Sequence, residues 1–185
     1  MPNNRILDGT KSVFVIVDVQ EAFRSVIGDF ALVASNIARA SLGFQVLDVP
    51  MIVTEQYPAG LGRTAEEILL TLPDGFEPIE KTAFSAFGSE AFRSKISDLG
   101  VQHVILCGVE THVCINQTAH DLLDHGLSVD LLTDCVGSRF DHDKRAGLKK
   151  MRDSGVISSS VEMALFELMR DAKHPKFKEI QALIK

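Results

Sequence analysis

The chain has 185 residues, of which 45% are hydrophobic and 24% charged, and this composition argues against extensive disorder. The net charge is −6 and no block of basic residues occurs, so we expect no nucleic acid partner. The sequence contains no apolar run long enough to span a membrane and no long apolar segment at its N-terminus. We therefore expect a cytoplasmic protein that is not attached to a membrane.

The length fits one domain, and no repeat, low-complexity tract or linker divides the chain. We predict a single domain over residues 1–185. The three cysteines, Cys107, Cys114 and Cys135, are odd in number and lack a C-x-x-C spacing. This pattern predicts reduced thiols, because neither a disulfide framework nor a cysteine zinc site is indicated.

Short apolar runs alternate with segments of helical period along the chain. Runs rich in Val, Ile and Leu predict buried strands at 12–19, 49–55, 77–81, 103–107, 127–133 and 155–160. The segments between them predict helices at 30–47, 89–99, 112–124, 142–155 and 161–170, with a last helix in the tail 174–185. The alternation predicts a three-layer α/β/α fold around a doubly wound, mainly parallel sheet of about six strands.

Local signals mark several helix ends. Thr64 and Glu67 have the spacing of a capping box, and Asp141 is the expected cap of the helix at 142–155. Gly126 can terminate the helix at 112–124. Thr111 could cap that same helix and place Cys114 in its first turn, where free amides and the helix dipole favour a thiolate.

An acidic, a basic and a thiol side chain follow strands of the predicted sheet. Asp18 follows strand one, Lys81 strand three, and Cys114 the turn after strand four. Ligands of doubly wound sheets bind at the carboxyl ends of the strands, and the order 3-2-1-4-5-6 would make strands one and four neighbours. Each residue alone has a structural interpretation, as a turn residue, a surface lysine or a core cysteine. Their coincidence at one edge favours a functional site.

Three motifs carry a resemblance to a known family. The segments "VIVDVQEAF" around Asp18, "EKTAFSAF" around Lys81 and "LCGVETHVCINQTAHDLL" around Cys114 occur in that order. With them the chain resembles the isochorismatase-like cysteine hydrolases, the superfamily that includes nicotinamidases and related amidases, over nearly its whole length. The resemblance implies an Asp-Lys-Cys triad, a cis peptide bond between Val109 and Glu110, and an oxyanion hole formed by the amides of Glu110 and Cys114.

The sequence departs from the metal-dependent members of the family. Nicotinamidases that use a metal carry an Asp-x-His pair after the second strand, whereas Glu55 and Tyr57 stand at those positions here. We therefore predict no metal and no other cofactor. Among the histidines, which show no ligand spacing, His112 is a candidate substrate contact because it precedes Cys114 by two residues.

Four aromatic residues near the strand ends are candidates for an apolar pocket that would take a small acyl group. They are Phe23, Tyr57, Phe84 and Phe87. Phe23 matches a substrate-wall position of the family, while core packing remains an equal alternative for Phe84 and Phe87.

These features predict a hydrolase that cleaves an amide or related C–N bond of a small-molecule substrate through a Cys114 acyl-enzyme. We expect Asp18 to act as the base, and we hypothesise that the positive charge of Lys81 outweighs the repulsion by Asp18 and favours a Cys114 thiolate. Vinyl ether hydrolysis, a thiol redox protein and a non-catalytic binding scaffold stay open as alternatives. The apolar segment "VEMALFELMR" predicts a homo-oligomer.

Overall fold

Six parallel strands form the centre of the structure, a computed structural model that describes residues 6–185. The strands are β1 Ser12–Val17, β2 Met51–Gln56, β3 Ile79–Lys81, β4 His103–Val109, β5 Ser128–Gly137 and β6 Ile157–Ser159. They lie in the order β3-β2-β1-β4-β5-β6, and each neighbouring pair is parallel. The predicted three-layer architecture and strand order are confirmed.

Helices cover both faces of the sheet. Within the described residues they are α1 Phe30–Val46, α2 Pro58–Leu61, α3 Glu66–Leu69, α4 Glu90–Leu99, α5 Asn116–Asp124, α6 Asp141–Asp153, α7 Val161–Met169 and α8 Phe177–Ile184. The apolar residues of α1, α7 and α8 pack in one core layer, and those of α4, α5 and α6 pack in the other. No helix within residues 6–185 has the length and apolar character needed to cross a membrane.

Strand β1 is buried along its entire length, as its nearly unbroken apolar sequence predicts. Successive side chains of a strand point to opposite faces of the sheet. Phe14 therefore packs in the α1 layer, where its ring centroid lies 4.6 Å from that of Phe44, while Val13 and Val15 pack in the opposite layer. The strand holds the centre of the sheet and ends directly before Asp18.

Strand β5 extends further than the sequence predicts, to Gly137, because it contains a bulge. Its register with β4 jumps between the pairs Leu106↔Leu131 and Gly108↔Val136. In the bulged segment, Asp134 accepts the backbone N–H of Val161, with distances of 3.2 and 3.1 Å to its two carboxylate oxygens. The bulge thereby ties the strand to the start of α7.

Two predicted helix caps are wrong, because their side chains have other positions or partners. The backbone N–H and the hydroxyl of Thr64 donate to Oε1 of Glu55, at 2.6 and 2.7 Å. Asp141 is the first residue of α6, and the cap position is taken by Phe140, without a side-chain cap. The predicted stop at Gly126 is confirmed, since this residue follows α5 with a φ of 79°.

Candidate active site

The three predicted site residues come from three separate segments at the carboxyl edge of the sheet. Asp18 follows β1 in the left-handed region, with a φ of 57°. Lys81 is the last residue of β3. Cys114 lies in a π-helical turn, Thr111–Ile115, that connects β4 to α5. Because β1 lies between β2 and β4 in the sheet, the structure brings these residues together.

Asp18 and Lys81 form a buried ion pair. The Nζ atom of Lys81 lies 2.6 Å from Oδ2 of Asp18, and each side chain is 1% exposed. Nζ also donates to Oε1 of Gln56 at 2.7 Å and to the carbonyl oxygens of Ala83 and Phe84, both at 3.0 Å. This ring of oxygens suits an ammonium group, which has three N–H donors, better than an amine.

The Asp18 carboxylate accepts hydrogen bonds on both oxygens. Thr54 donates its hydroxyl to Oδ1 at 2.7 Å, and Lys81 donates to Oδ2. The Cys114 thiol lies beside the same carboxylate and acts to lower its pKa. The pKa of Asp18 is raised above its usual value, because the effect of burial exceeds that of the Lys81 charge and of these hydrogen bonds, which act to lower it. The carboxylate is thus placed to accept the thiol proton.

The Cys114 thiol is protonated at rest, contrary to the hypothesis that Lys81 makes it a thiolate. Burial, followed by the negative charge of Asp18, raises the pKa of Cys114 to about 12. The charge of Lys81 and a hydrogen bond from the backbone amide of Glu110 act in the opposite direction but do not compensate. The repulsion between the Asp18 charge and a Cys114 thiolate is thus stronger than the sequence alone indicates. Because the thiol holds its proton, it needs a base to become a nucleophile.

The turn that carries Cys114 is fixed by its neighbours rather than by a helix cap. The hydroxyl of Thr111 donates to the carbonyl oxygen of Gly137 at 2.9 Å and therefore does not cap the helix as predicted. The Val109–Glu110 peptide bond is cis. Oε1 of Glu110 accepts the backbone N–H of Arg139 at 2.9 Å and its Nε–H at 3.0 Å, so the turn is joined to the end of β5.

Two glycines allow close approaches around this turn. A Cβ atom on Gly108, which has a φ of 126°, would lie 2.1 Å from the carbonyl oxygen of Val17. A Cβ atom on Gly147, in α6, would lie 2.9 Å from Cα of His112 and 3.0 Å from the carbonyl oxygen of Thr111. Side chains at these positions would push β4 from β1, or α6 from the turn, and would displace Cys114.

Of the predicted pocket residues, Tyr57 lines a cavity and Phe84 lies at the surface. The cavity has a volume of about 420 Å³ and is also lined by Lys81, although not by Asp18 or Cys114. Tyr57 is 59% exposed and Phe84 is 55% exposed. Tyr57 is therefore accessible to a ligand in this cavity, whereas Phe84 does not line it.

The other two aromatic candidates pack against the core. The Phe87 ring centroid lies 4.1 Å from that of His125 and 6.1 Å from that of Phe92, an arrangement that favours the packing interpretation of Phe87. Phe23 is half-buried against the α1 layer. Neither position places the ring in the cavity beside Lys81.

His112 is held beside the turn by polar contacts. Its Nδ1 atom is hydrogen-bonded to Oγ of Ser138 at 3.1 Å, and its Nε2 atom lies 3.9 Å from Oδ2 of Asp143. The ring thus bridges the end of β5 and the start of α6, and the side chain is 22% exposed. Its orientation is set by protein groups.

Glu55, at the position of the first metal ligand in nicotinamidases, has a structural role. It is buried, and the turn at Thr64 occupies its Oε1 atom with two hydrogen bonds. Across residues 6–185 no group of three or more His, Cys, Asp or Glu side chains has an arrangement that could hold a metal ion.

The other two cysteines are separated from Cys114. Cys107 and Cys135 belong to the core layer that contains α1, whereas Cys114 belongs to the layer on the opposite face. Both are fully buried free thiols, and burial raises the pKa of each well above its usual value. They are therefore not placed to form a disulfide with Cys114.

Sequence reasoning missed three polar residues that support the ion pair: Gln20, Thr54 and Gln56. Gln20 and Gln56 lie at or just beyond the ends of β1 and β2, and Thr54 is a buried polar residue within β2. A polar side chain in or directly after an apolar strand is a signal of a site at that edge. Its partner, however, follows only from the tertiary structure.

Comparison with known proteins identifies the family. A family model described as the isochorismatase domain matches residues 12–163. The chain therefore belongs to the isochorismatase-like superfamily, and the predicted resemblance is confirmed.

Individual relatives agree with this assignment over most of their length. Isochorismatase domain-containing protein 2 of Danio rerio is 44% identical over 174 residues, which are 94% of this chain and 86% of the relative. A structure described as MAR1 ribonuclease from Caenorhabditis elegans has a TM-score of 0.92 and 37% identity, with 97% of this chain and 92% of that chain covered. The Escherichia coli YcaC gene product, described as an octameric hydrolase of unknown specificity, has a TM-score of 0.86 at 20% identity and covers 100% and 97%. The last similarity concerns the fold alone.

Proposed function

We propose that this chain is a cysteine hydrolase that cleaves an amide or related C–N bond of a small molecule, with Asp18, Lys81 and Cys114 as its catalytic residues. The observation that carries the proposal is the buried Asp18 carboxylate, which is paired with Lys81 at 2.6 Å and lies beside the Cys114 thiol. A base, a fixed positive charge and a nucleophile are thereby joined in one network.

In the first step, Asp18 takes the thiol proton while Sγ of Cys114 attacks the substrate carbonyl carbon. The bond that forms is C–S, and the carbonyl oxygen becomes an oxyanion. The backbone amides of Glu110 and Cys114 are the proposed donors to this oxyanion. The backbone amide of Glu110 acts to lower the pKa of the Cys114 thiol, and this proximity to the reacting sulfur supports the role.

Collapse of the intermediate breaks the C–N bond, and Asp18 gives its proton to the departing nitrogen. Water then attacks the thioester, Asp18 accepts a proton from the water, and the acid product leaves as the thiol regains that proton. Lys81 keeps its charge throughout and favours the ionised carboxylate at the start of each half-reaction.

Three alternatives have less support. A thiol redox cycle with a resolving cysteine requires a second thiol, but Cys107 and Cys135 lie in the opposite core layer. Vinyl ether hydrolysis uses acid catalysis and needs no thiol, whereas here Cys114 lies beside the candidate base. A non-catalytic binding scaffold requires no thiol beside a buried Asp-Lys pair.

Ribonuclease activity is a second candidate, and the name of the C. elegans relative favours it. The net charge of −6 and the lack of a basic block argue against it, because RNA binding depends on phosphate neutralisation. The two candidates make different predictions, since RNA cleavage does not require a Cys114 acyl-enzyme.

The proposal is tested with a panel of small amides, ureides and imides, with a single-stranded RNA included. We expect at least one C–N substrate to be hydrolysed by the wild type, with no turnover by Cys114→Ala and intact RNA in both reactions. Turnover by Cys114→Ala, or cleavage of RNA alone, would contradict the proposal.

We further propose that the protein is a single-domain homo-oligomer of a reducing compartment such as the cytoplasm. The exposed apolar residues Met163 and Phe166 on α7, which are 50% and 38% exposed, support an interface there. The free state of all three cysteines supports the reducing compartment. Light scattering of the wild type and of Phe166→Glu tests the interface, and a monomeric wild type would exclude it.

A further inference from the structure

Two side chains make the shortest contacts with the Lys81 ammonium, and Gln56 is the uncharged one of the two. Its Oε1 atom lies 2.7 Å from Nζ, nearly as close as the 2.6 Å contact between Nζ and Asp18 Oδ2. The two backbone carbonyl oxygens are more distant, at 3.0 Å. Gln56 is thus the strongest uncharged acceptor for the cation that faces Asp18.

The orientation of the Gln56 amide is fixed by a second contact. Its Nε2 atom donates to the carbonyl oxygen of Thr82 at 2.7 Å. Rotation of the amide by half a turn would bring its NH2 group against the Lys81 ammonium, a donor against a donor. It would also bring Oε1 against the carbonyl oxygen of Thr82, an acceptor against an acceptor, so that orientation is unfavourable. The carbonyl oxygen of the side chain therefore remains directed at Nζ.

The backbone of Gln56 is held in turn by Gln20, which is fully buried. Oε1 of Gln20 accepts the Gln56 N–H at 2.8 Å, and Nε2 of Gln20 donates to the Gln56 carbonyl oxygen at 3.0 Å. Nε2 also donates to the carbonyl oxygen of Gly62 at 2.7 Å. Gln20 thereby fixes the residue that contacts Lys81, and it follows Asp18 by two positions.

We propose that Gln56 is a positioning residue, which holds the Lys81 ammonium against Asp18 and leaves its charge available to that carboxylate, with Gln20 as the support of Gln56. This inference rests on the proposed function of Asp18 as the base for Cys114. A neutral oxygen at this place fixes the ammonium without neutralising it. A carboxylate would fix it equally well but would compete with Asp18 for its charge.

The substitution Gln56→Glu separates these two effects, because it preserves the shape and adds a negative charge. Iodoacetamide alkylation of Cys114, followed between pH 4 and 9 by peptide mass spectrometry, requires no substrate. We expect the midpoint of the acid limb, where Asp18 loses its proton, to rise by about one pH unit in Gln56→Glu. The folded state of each variant is checked by circular dichroism.

Gln102→Glu is the matched control, because Gln102 is exposed and precedes β4 at the opposite edge of the sheet. Its midpoint is expected to equal that of the wild type. An unchanged midpoint in Gln56→Glu, or an equal shift in Gln102→Glu, would overturn the inference. If Gln56→Glu does not fold, Gln56→Met tests the lost acceptor, with alkylation of Cys114 expected to slow by about fivefold or more. An unchanged rate in that variant would also overturn the inference.

The alkylation experiment depends on Asp18 as the base for Cys114, but it does not depend on whether the protein hydrolyses a C–N bond. A shift of the alkylation profile together with no turnover of any C–N substrate would support the role of Gln56 and remove the proposed reaction. Turnover that is normal in Gln56→Glu, with an unshifted profile, would preserve the proposed reaction and remove the role of Gln56.

Discussion

Lys81 and Asp18 are 63 positions apart in sequence, yet Nζ and Oδ2 lie 2.6 Å apart and both side chains are 1% exposed. The contact crosses the end of β2, which lies between β1 and β3. Removal of one partner from a buried ion pair leaves an uncompensated charge and is strongly destabilising. The pair is thus important for stability as well as for the proposed reaction.

A double-mutant cycle measures this coupling. Asp18→Asn and Lys81→Met should each lower the free energy of unfolding by about 3–5 kcal/mol, and the double variant should lose less than the two together. Urea denaturation gives the three values. The exposed pair Arg145 and Asp141, with side chains 72% and 71% exposed, is the control, and its coupling should stay below about 1 kcal/mol. Strictly additive losses at Asp18 and Lys81 would be inconsistent with a coupled pair.

Thr54→Val tests the hydrogen bond to Oδ1 of Asp18, because it preserves the shape of a fully buried side chain and deletes the hydroxyl. Loss of this donor destabilises the ionised carboxylate, so the pKa of Asp18 should rise and the acid limb of the pH–rate profile should move to higher pH. The rate below that midpoint should fall about fivefold or more, which corresponds to about 1 kcal/mol. The control is Thr133→Val, which removes from β5 a hydroxyl that donates to the carbonyl oxygen of Ser159 in β6. This variant should leave the profile unchanged.

Much of the fold could be predicted because strands that are buried on both faces have nearly continuous apolar sequences. Strand β1 is apolar at every position after Ser12 and buried on both faces, and the strand order is a common one of doubly wound sheets. The caps at Thr64 and Asp141 could not be predicted, since local spacing does not reveal tertiary partners. Thr64 is used by Glu55, which is nine positions away.

The proximity of Asp18, Lys81 and Cys114 could be predicted from strand order, but their electrostatics could not. The pKa of Cys114 depends on how far burial and Asp18 exceed the effect of Lys81, and such a balance is set by distances. The supporting residues Thr54 and Gln56 were missed for the same reason. Their contacts exist only after β2 is placed between β1 and β3.

Hydrolysis should survive chelation, because Oε1 of Glu55 accepts two hydrogen bonds from Thr64 and no cluster of metal-ligating side chains occurs within residues 6–185. We expect turnover after dialysis against EDTA to equal that of the untreated protein, and added zinc to give no increase. Glu55→Gln should lower stability through the contact with Thr64 while the response to zinc stays unchanged. A loss of rate on chelation that zinc restores would show that the site holds a metal.

A buried pair at the amino edge of the sheet predicts pH-dependent stability. Nδ1 of His103 and Oδ2 of Asp130 lie 3.9 Å apart, and neither atom has a hydrogen-bond partner among residues 6–185. Burial, with a smaller contribution from Glu167, raises the pKa of Asp130 from 3.8 to about 7. The folded state therefore holds a proton that the unfolded state releases, and this contribution to stability is lost as pH rises from 3.8 to about 7.

Asp130→Asn isolates that effect, because the amide stays neutral at every pH. Burial also lowers the pKa of His103, so the contribution of this residue to stability decreases as the pH falls below 6.5. Because His103 is present in both proteins, the comparison of the variant with the wild type isolates Asp130. Relative to the wild type, the stability of the variant should increase by up to about 4 kcal/mol as the pH rises from 3.8 to about 7. Thermal unfolding at several pH values measures the difference, with the exposed Asp124→Asn as control. A pH-independent difference for Asp130→Asn would contradict the prediction.

The most direct test of the central claim, that Asp18 activates Cys114 for acyl transfer, uses p-nitrophenyl acetate as an activated acyl donor. Rapid quenching and peptide mass spectrometry locate the acetyl group and its rate of formation. We predict acetylation of Cys114 ahead of the buried Cys107 and Cys135, with a rate about a hundredfold or more lower in Asp18→Asn. An acetyl group elsewhere but not on Cys114, or an equal rate in Asp18→Asn, would contradict the account.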